Sequence, residues 1–187
     1  NIASGLVEAA QTMKSALMTG EGVPTVEESV PPEVFRLIDE IARNQVFGEG
    51  ERLVIGKYDS QQTGYIGAAR SGGGLYYNTN PAVWNALQEA FGPQAGEVAW
   101  LINQRVLELH AYEEPPVFLN RGLSASALQD EIGKMEYVWR NPSDTELTNA
   151  RFLEIRWLRA QGFEMEPIFD EAGNTIGFRF VRPGGKP

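Results

Sequence analysis

The chain contains no cysteine and only one histidine. The first absence excludes disulfides, thiol nucleophiles and cysteine-ligated metals, and leaves the chain indifferent to the redox state of its compartment. The second excludes two-histidine catalysis and histidine-rich metal sites. No run reaches the roughly 18 consecutive apolar residues of a membrane-spanning helix. Basic residues are also scarce: 16 Lys and Arg stand against 25 Asp and Glu, a net charge of -9, so the long-range field repels polyanions. Nucleic-acid binding would need a local basic patch; Arg151, Arg156 and Arg159 are a candidate for it, although three arginines on a helix more often read as a solvated face. No charged n-region followed by an apolar stretch opens the chain, so no signal peptide is read; a start at Asn1 suggests an excised fragment.

What is present is the composition of a globular domain: 187 residues, 42% hydrophobic, 10% aromatic and 22% charged. Leu6, Ala9, Ala10, Met13 and Leu17 recur at helical spacing, and so do Val34, Leu37, Ile38 and Ile41 in a helix predicted over 32–46. Between them "TGEGVPTVEESVPP" reads as a linker. Residues 1–47 are therefore expected to be a helical leader and linker, and 48–187 the main domain. "RLVIGKY" and "LYYNT" read as strands and "GYIGAARSGGG" as a short helix stopped by Gly72 to Gly74. Asn80 and Pro81 open a helix, and Val98, Leu101, Ile102, Val106 and Leu109 mark the best-patterned one. "PPVFLN" reads as an edge strand or extended arm. A long helix capped by Ser124 or Ser126 follows, then one ending at Gly162, and two strands around Asp170 to Asn174 form a hairpin. Without the regular alternation of a doubly wound sheet, the class is α+β: helix-rich, with a small antiparallel sheet that includes the C-terminal β-hairpin.

A phosphate-binding loop needs a Lys and a Ser or Thr at fixed places after its glycines, and "SGGGLYYNT" has neither. Its glycines read as a helix stop. His110 ends its helix beside Glu108, Tyr112, Glu113 and Glu114, as a cap facing the negative end of the dipole or as a general acid or base. Glu131, Glu136 and Glu154 lie within or beside apolar helical faces, where a carboxyl with a raised pKa can be made. No acidic pattern specifies a metal, and Ser124 lacks the glycine context of a nucleophile elbow. The denser set is Lys57, Tyr58, Tyr65 and Arg70, with Asn78 and Thr79 after them: groups that can hold phosphate or ribose and stack a base, or equally frame a helix against a sheet.

The block order "LVIGKY", "GYIGAA", "GLYYNT", "VWNAL", "INQRVL" and "NARFLEIRWLRAQGF" resembles a C-terminal toxin domain of bacterial polymorphic toxins, of the rearrangement-hotspot and contact-dependent inhibition kinds. The resemblance covers about residues 50 to 163. It implies a cargo domain, secreted as part of a larger carrier protein, delivered to the cytoplasm of a rival cell and blocked in the producer by a cognate immunity protein. Many such modules resemble small RNases that work without metal through His, Lys, Arg, Tyr or Thr, a set available here in His110, Lys57, Arg70 and Tyr65; no cofactor is then expected. Others consume NAD or transfer ADP-ribose. In that case Glu154 would stabilise the oxocarbenium-like centre and Arg52 or Arg70 would hold phosphate. The acidic charge departs from the usual RNA-cutting domain. A third reading is a structural module in which glycines and aromatics only pack.

Overall fold

A computed structural model describes residues 2–20 and 22–182. The chain runs through helices α1 (Ile2–Thr19), α2 (Val26–Ser29) and α3 (Pro32–Asn44), strands β1 (Val46–Gly48) and β2 (Val54–Ile55), and helix α4 (Gly64–Gly72). Strand β3 (Leu75–Tyr77), helix α5 (Pro81–Phe91), a 3-10 turn and helix α6 (Ala95–His110) follow. The rest is strand β4 (Val117–Leu119), helices α7 (Ala125–Arg140) and α8 (Ala150–Ala160), and strands β5 (Glu164–Phe169) and β6 (Thr175–Val181). This is the α+β class read from the sequence, helix-rich with a small sheet and a C-terminal hairpin.

Helix α6 is the centre because its apolar residues cover most of its circumference: Val98, Trp100, Leu101, Ile102, Val106 and Leu107 are all buried. A helix apolar all round must be enclosed, and α1, α3, α5 and α8 enclose this one. Behind α8, α7 packs on the sheet through β6. The four-stranded sheet has the order β2-β4-β6-β5, with β2 parallel to β4 and the remaining pairs antiparallel; β1 and β3 form a separate antiparallel pair.

Several expectations are corrected. "PPVFLN" supplies an interior strand, β4, between β2 and β6, because Val117 and Phe118 are buried on both sides of the ladder. Leu37 is 58% exposed, and the buried stripe of α3 is Val34, Ile38 and Ala42. That helix ends at Asn44, and Val46 opens β1. The linker contains α2, one turn held by a capping box in which Thr25 and Glu28 satisfy each other's backbone N–H groups. Nor are the N-terminal helices a separable leader. Val7, Met13, Leu17, Val34 and Ile38 share one core with Leu101, Leu107 and Trp157, and β1 crosses the expected boundary at residue 47.

Gly64 starts α4 at φ 68°, a left-handed conformation that side chains resist. Its N–H donates to the Arg121 carbonyl at 2.7 Å, and an added Cβ would run into the Lys57 carbonyl. Gly64→Ala is therefore expected to destabilise the fold by about 2–5 kcal/mol, combining left-handed strain with overpacking. Denaturant unfolding measures it, and a loss below about 0.5 kcal/mol would contradict the assigned close approach.

Candidate active site

Five elements, β2, α4, β3, α6 and α8, and the segments beside them meet over a cavity of about 260 Å³. The end of β2 brings Val54, Ile55 and Gly56; Tyr58, ahead of α4, and Tyr65, in α4, stand beside them; Tyr77, Asn78 and Thr79 leave β3; Asn103 comes from α6; and Ala150, Arg151 and Glu154 from α8. Backbone contacts fix the first wall. A Cβ on Gly56 would lie 2.6 Å from the Leu119 carbonyl and 2.9 Å from the Tyr65 Cβ, so only glycine lets β2 approach α4 this closely. The Tyr65 hydroxyl donates to the Tyr77 carbonyl at 2.6 Å, tying α4 to β3. Gln45 holds the segment after β3 from the other side: its carbonyl accepts from Asn78 N–H at 3.0 Å and its Oε1 from Asn80 N–H at 2.6 Å.

Glu154 is the chemical centre. It is 7% exposed, and among the described residues no group donates a hydrogen bond to its carboxyl, although it lines the cavity. Burial pushes its pKa up to about 8, against a partial downward pull from Arg151. That arginine is itself engaged: Nε and Nη2 grip Glu131 at 2.7 and 3.0 Å, a bidentate pair that uses two of its three nitrogens. Burial first, and then the Glu154 charge, raise the Tyr65 hydroxyl well above its ordinary range, and burial raises Tyr77 to about 12. Both tyrosines stay neutral near pH 7. Tyr77 and Thr79 share a hydrogen bond of 3.0 Å, and the exposed Tyr58 stands at the mouth.

The connection that leads into the Ala150 wall is held by Arg156. This guanidinium is 1% exposed and donates to the carbonyls of Pro142, Leu147 and Asp144 at 2.6, 2.5 and 2.5 Å. One side chain thereby pins the connection from α7 to α8.

Of the residues singled out from sequence, the cavity gathers Tyr58, Tyr65, Asn78, Thr79 and Glu154. Lys57, Arg70 and His110 do not line it. Lys57 serves through its backbone, its N–H donating to Asn120 Oδ1 at 2.8 Å and its carbonyl accepting from Tyr65. Arg70 lies over the Tyr76 ring, its Cζ 5.8 Å from the centroid, and donates to the Gln61 carbonyl at 3.0 Å. His110, half-buried at the end of α6, is held below its ordinary pKa by burial, with Glu113 opposing and Arg43 adding to the effect. Arg52 pairs with Glu114 outside the cavity. Ser124 is the N-cap of α7, and Glu136 sits near Arg140 on the surface. The arginine patch does not form, because Arg151 and Arg156 are both committed internally. Tyr77 and Asn103 are cavity residues that the sequence reading did not assign, and Arg151, read there as part of a basic patch, lines the cavity instead. A polar Asn103 between the apolar positions Ile102 and Val106 was the available signal.

Among the described residues, no group of three His, Asp or Glu is placed to hold a metal ion, and no helix is long and apolar enough to cross a membrane. Neither a family model, a curated protein nor a solved structure matches the chain.

Proposed function

We propose that this chain is an effector domain of the polymorphic-toxin kind, delivered by a carrier and neutralised by an immunity protein, and that it cleaves RNA without metal at the Glu154 cavity. The observation that carries the enzymatic part is the Glu154 carboxyl: buried, without a hydrogen-bond partner among the described residues, and open to a tyrosine-lined cavity. A carboxyl that titrates near working pH is suited to proton transfer. In the proposed step Glu154 takes the proton of a ribose 2′-hydroxyl as the O2′–P bond forms. The P–O5′ bond breaks, and the 5′ oxygen leaves as a hydroxyl after taking a proton from solvent water, while Glu154 later returns its own proton to solvent. Arg151 stands beside this centre, with Nη1 not held by Glu131, to offset charge building on the phosphorus oxygens.

The NAD-consuming alternative ranks second on the same observation. A raised pKa strengthens a base that gains a proton in the transition state, whereas an oxocarbenium-like centre calls for a carboxylate that stays charged throughout, which burial opposes here.

Purified full-length chain, incubated with total RNA in chelator, is expected to produce fragments. The rate should rise with pH toward about 8 as Glu154 ionises. Glu154→Gln should lose about 10²–10⁴-fold in rate, the usual contribution of a positioned acid or base. Loss of NAD with RNA intact would replace this reading by the second. Both pools intact, with the protein folded, would sink the enzymatic reading.

A further inference from the structure

Beside the Glu154 cavity lies a second lobe of about 410 Å³, and Tyr77, Thr79, Asn103 and Ala150 line both. Leu153 faces the second lobe while its neighbour Glu154 faces the first, so α8 passes along both chambers. Three aromatic residues, Tyr77, Trp84 and Trp100, line the new chamber beside the Lys14–Glu97 ion pair. Trp100 is buried, with its indole N–H donating to Gln104 Oε1 at 3.2 Å, and the half-buried Trp84 enters from α5. Gln104 is in turn tied to the Pro24 carbonyl at 2.9 Å and to Glu108 at 3.0 Å. Among the described residues, the fully buried polar side-chain atoms that line the chamber are satisfied with one exception.

That exception is Asn103, at the junction of the lobes. It is 5% exposed, its Oδ1 is fully buried, and among the described residues its amide forms no hydrogen bond. A buried amide without partners costs about 1–3 kcal/mol, so a site that keeps one has a use for it. An Asn side chain offers a donor and an acceptor side by side, the pattern that pairs with the edge of a nucleobase. The volume falls within the roughly 300–1,000 Å³ of small-molecule sites, and planar bases stack well on indoles.

We infer that the second lobe is a nucleobase subsite, in which Asn103 reads the base edge beside the Trp84 and Trp100 rings while the attached ribose points toward Glu154. This rests on the RNA-cleaving reading for the identity of the substrate but is tested by binding alone.

Calorimetric titration of the full chain with AMP, GMP, CMP and UMP tests it. One nucleotide is expected to bind at least fivefold more tightly than the weakest of the four. Asn103→Leu should erase that preference and weaken the favoured nucleotide at least tenfold, while folding as stably as the wild type because an unpaired polar group is gone. Should the leucine variant misfold, Asn103→Asp retains the size, replaces the donor by an acceptor, and must show the same loss. Glu154→Gln should keep the preference. Equal or absent binding of all four nucleotides, or a preference that survives Asn103→Leu or Asn103→Asp, overturns the subsite. Discriminating binding without RNA cleavage would leave the subsite standing and remove the nuclease reading; cleavage without discrimination would do the reverse.

Discussion

Residues 48–187 expressed alone are expected to be insoluble or unfolded, although they contain every side chain that lines the Glu154 cavity. Removing α1 to α3 takes Val7, Ala10, Met13, Leu17, Val26, Val30, Val34, Ile38 and Ala42 out of the core and exposes the faces of α6 and α8 that they cover. At about 1.5–3 kcal/mol for each large apolar side chain, the loss is as large as the whole 5–15 kcal/mol by which a domain is stable. The cut also removes Gln45, which holds the backbone at Asn78 and Asn80, and Lys14, which lines the second lobe in a 2.8 Å ion pair with Glu97. Soluble yield, far-ultraviolet circular dichroism and a urea melt of the fragment decide the matter. A soluble fragment with a cooperative melt would show that the N-terminal helices are dispensable after all. The result bears on toxicity assays, because normal growth on expressing the fragment would report a collapsed core and not a lack of chemistry.

Glu154→Gln is expected to reverse its effect on stability as pH changes. In the unfolded chain this carboxyl titrates at its ordinary value of 4.5; in the fold burial raises it to about 8. A raised folded value means that the native state holds a proton that the unfolded state gives up. The favourable contribution is complete below about pH 4.5, falls as pH rises through that window, and is gone above about 8. Each unit of separation corresponds to 1.36 kcal/mol, so the wild type should lose roughly 3–5 kcal/mol between pH 4.5 and 9 from this group. Glutamine carries no proton to lose. The variant should therefore lie within about 1 kcal/mol of the wild type at pH 5 and be more stable by a few kcal/mol at pH 8.5. All other titrating groups are common to both proteins and cancel in the difference. Parallel urea midpoints at the two pH values would rule out the buried, proton-holding state of Glu154.

Where local chemistry decides a structure, the sequence was sufficient. Asn80 caps α5 by accepting from Ala82 N–H at 2.7 Å, Ser124 caps α7 by accepting from Ala127 N–H at 3.1 Å, and Asp170 to Asn174 turns the hairpin. Each of these signals acts within a few residues. The misreadings lie where distant partners decide. "PPVFLN" carries no mark that β2 will lie parallel on one side and β6 antiparallel on the other. Leu37 fits the helical stripe as well as Ala42 does, and only the placement of α6 shows which of the two is covered. The site divides in the same way. Tyr65 and Glu154 were accessible as residue types, but 89 positions separate them in the chain, and their meeting depends on how α4 and α8 dock. Lys57 and Arg70 share their local sequence with Tyr65, yet each lies off the cavity wall.

The staple formed by Arg156 has a consequence for how a ligand would be received. A connection of this length, without regular structure, would ordinarily sample many conformations, and closing it around a ligand would carry an ordering cost of about 1–2 kcal/mol of backbone entropy per residue. Here the three carbonyls of Pro142, Asp144 and Leu147 are fixed during folding, by an arginine that is almost wholly buried. The rim beside Ala150 and Glu154 is thus preorganised, and little of the binding free energy goes into building it. Association at this face should accordingly be fast and close to rigid-body, with the ligand and not the protein supplying the adjustment.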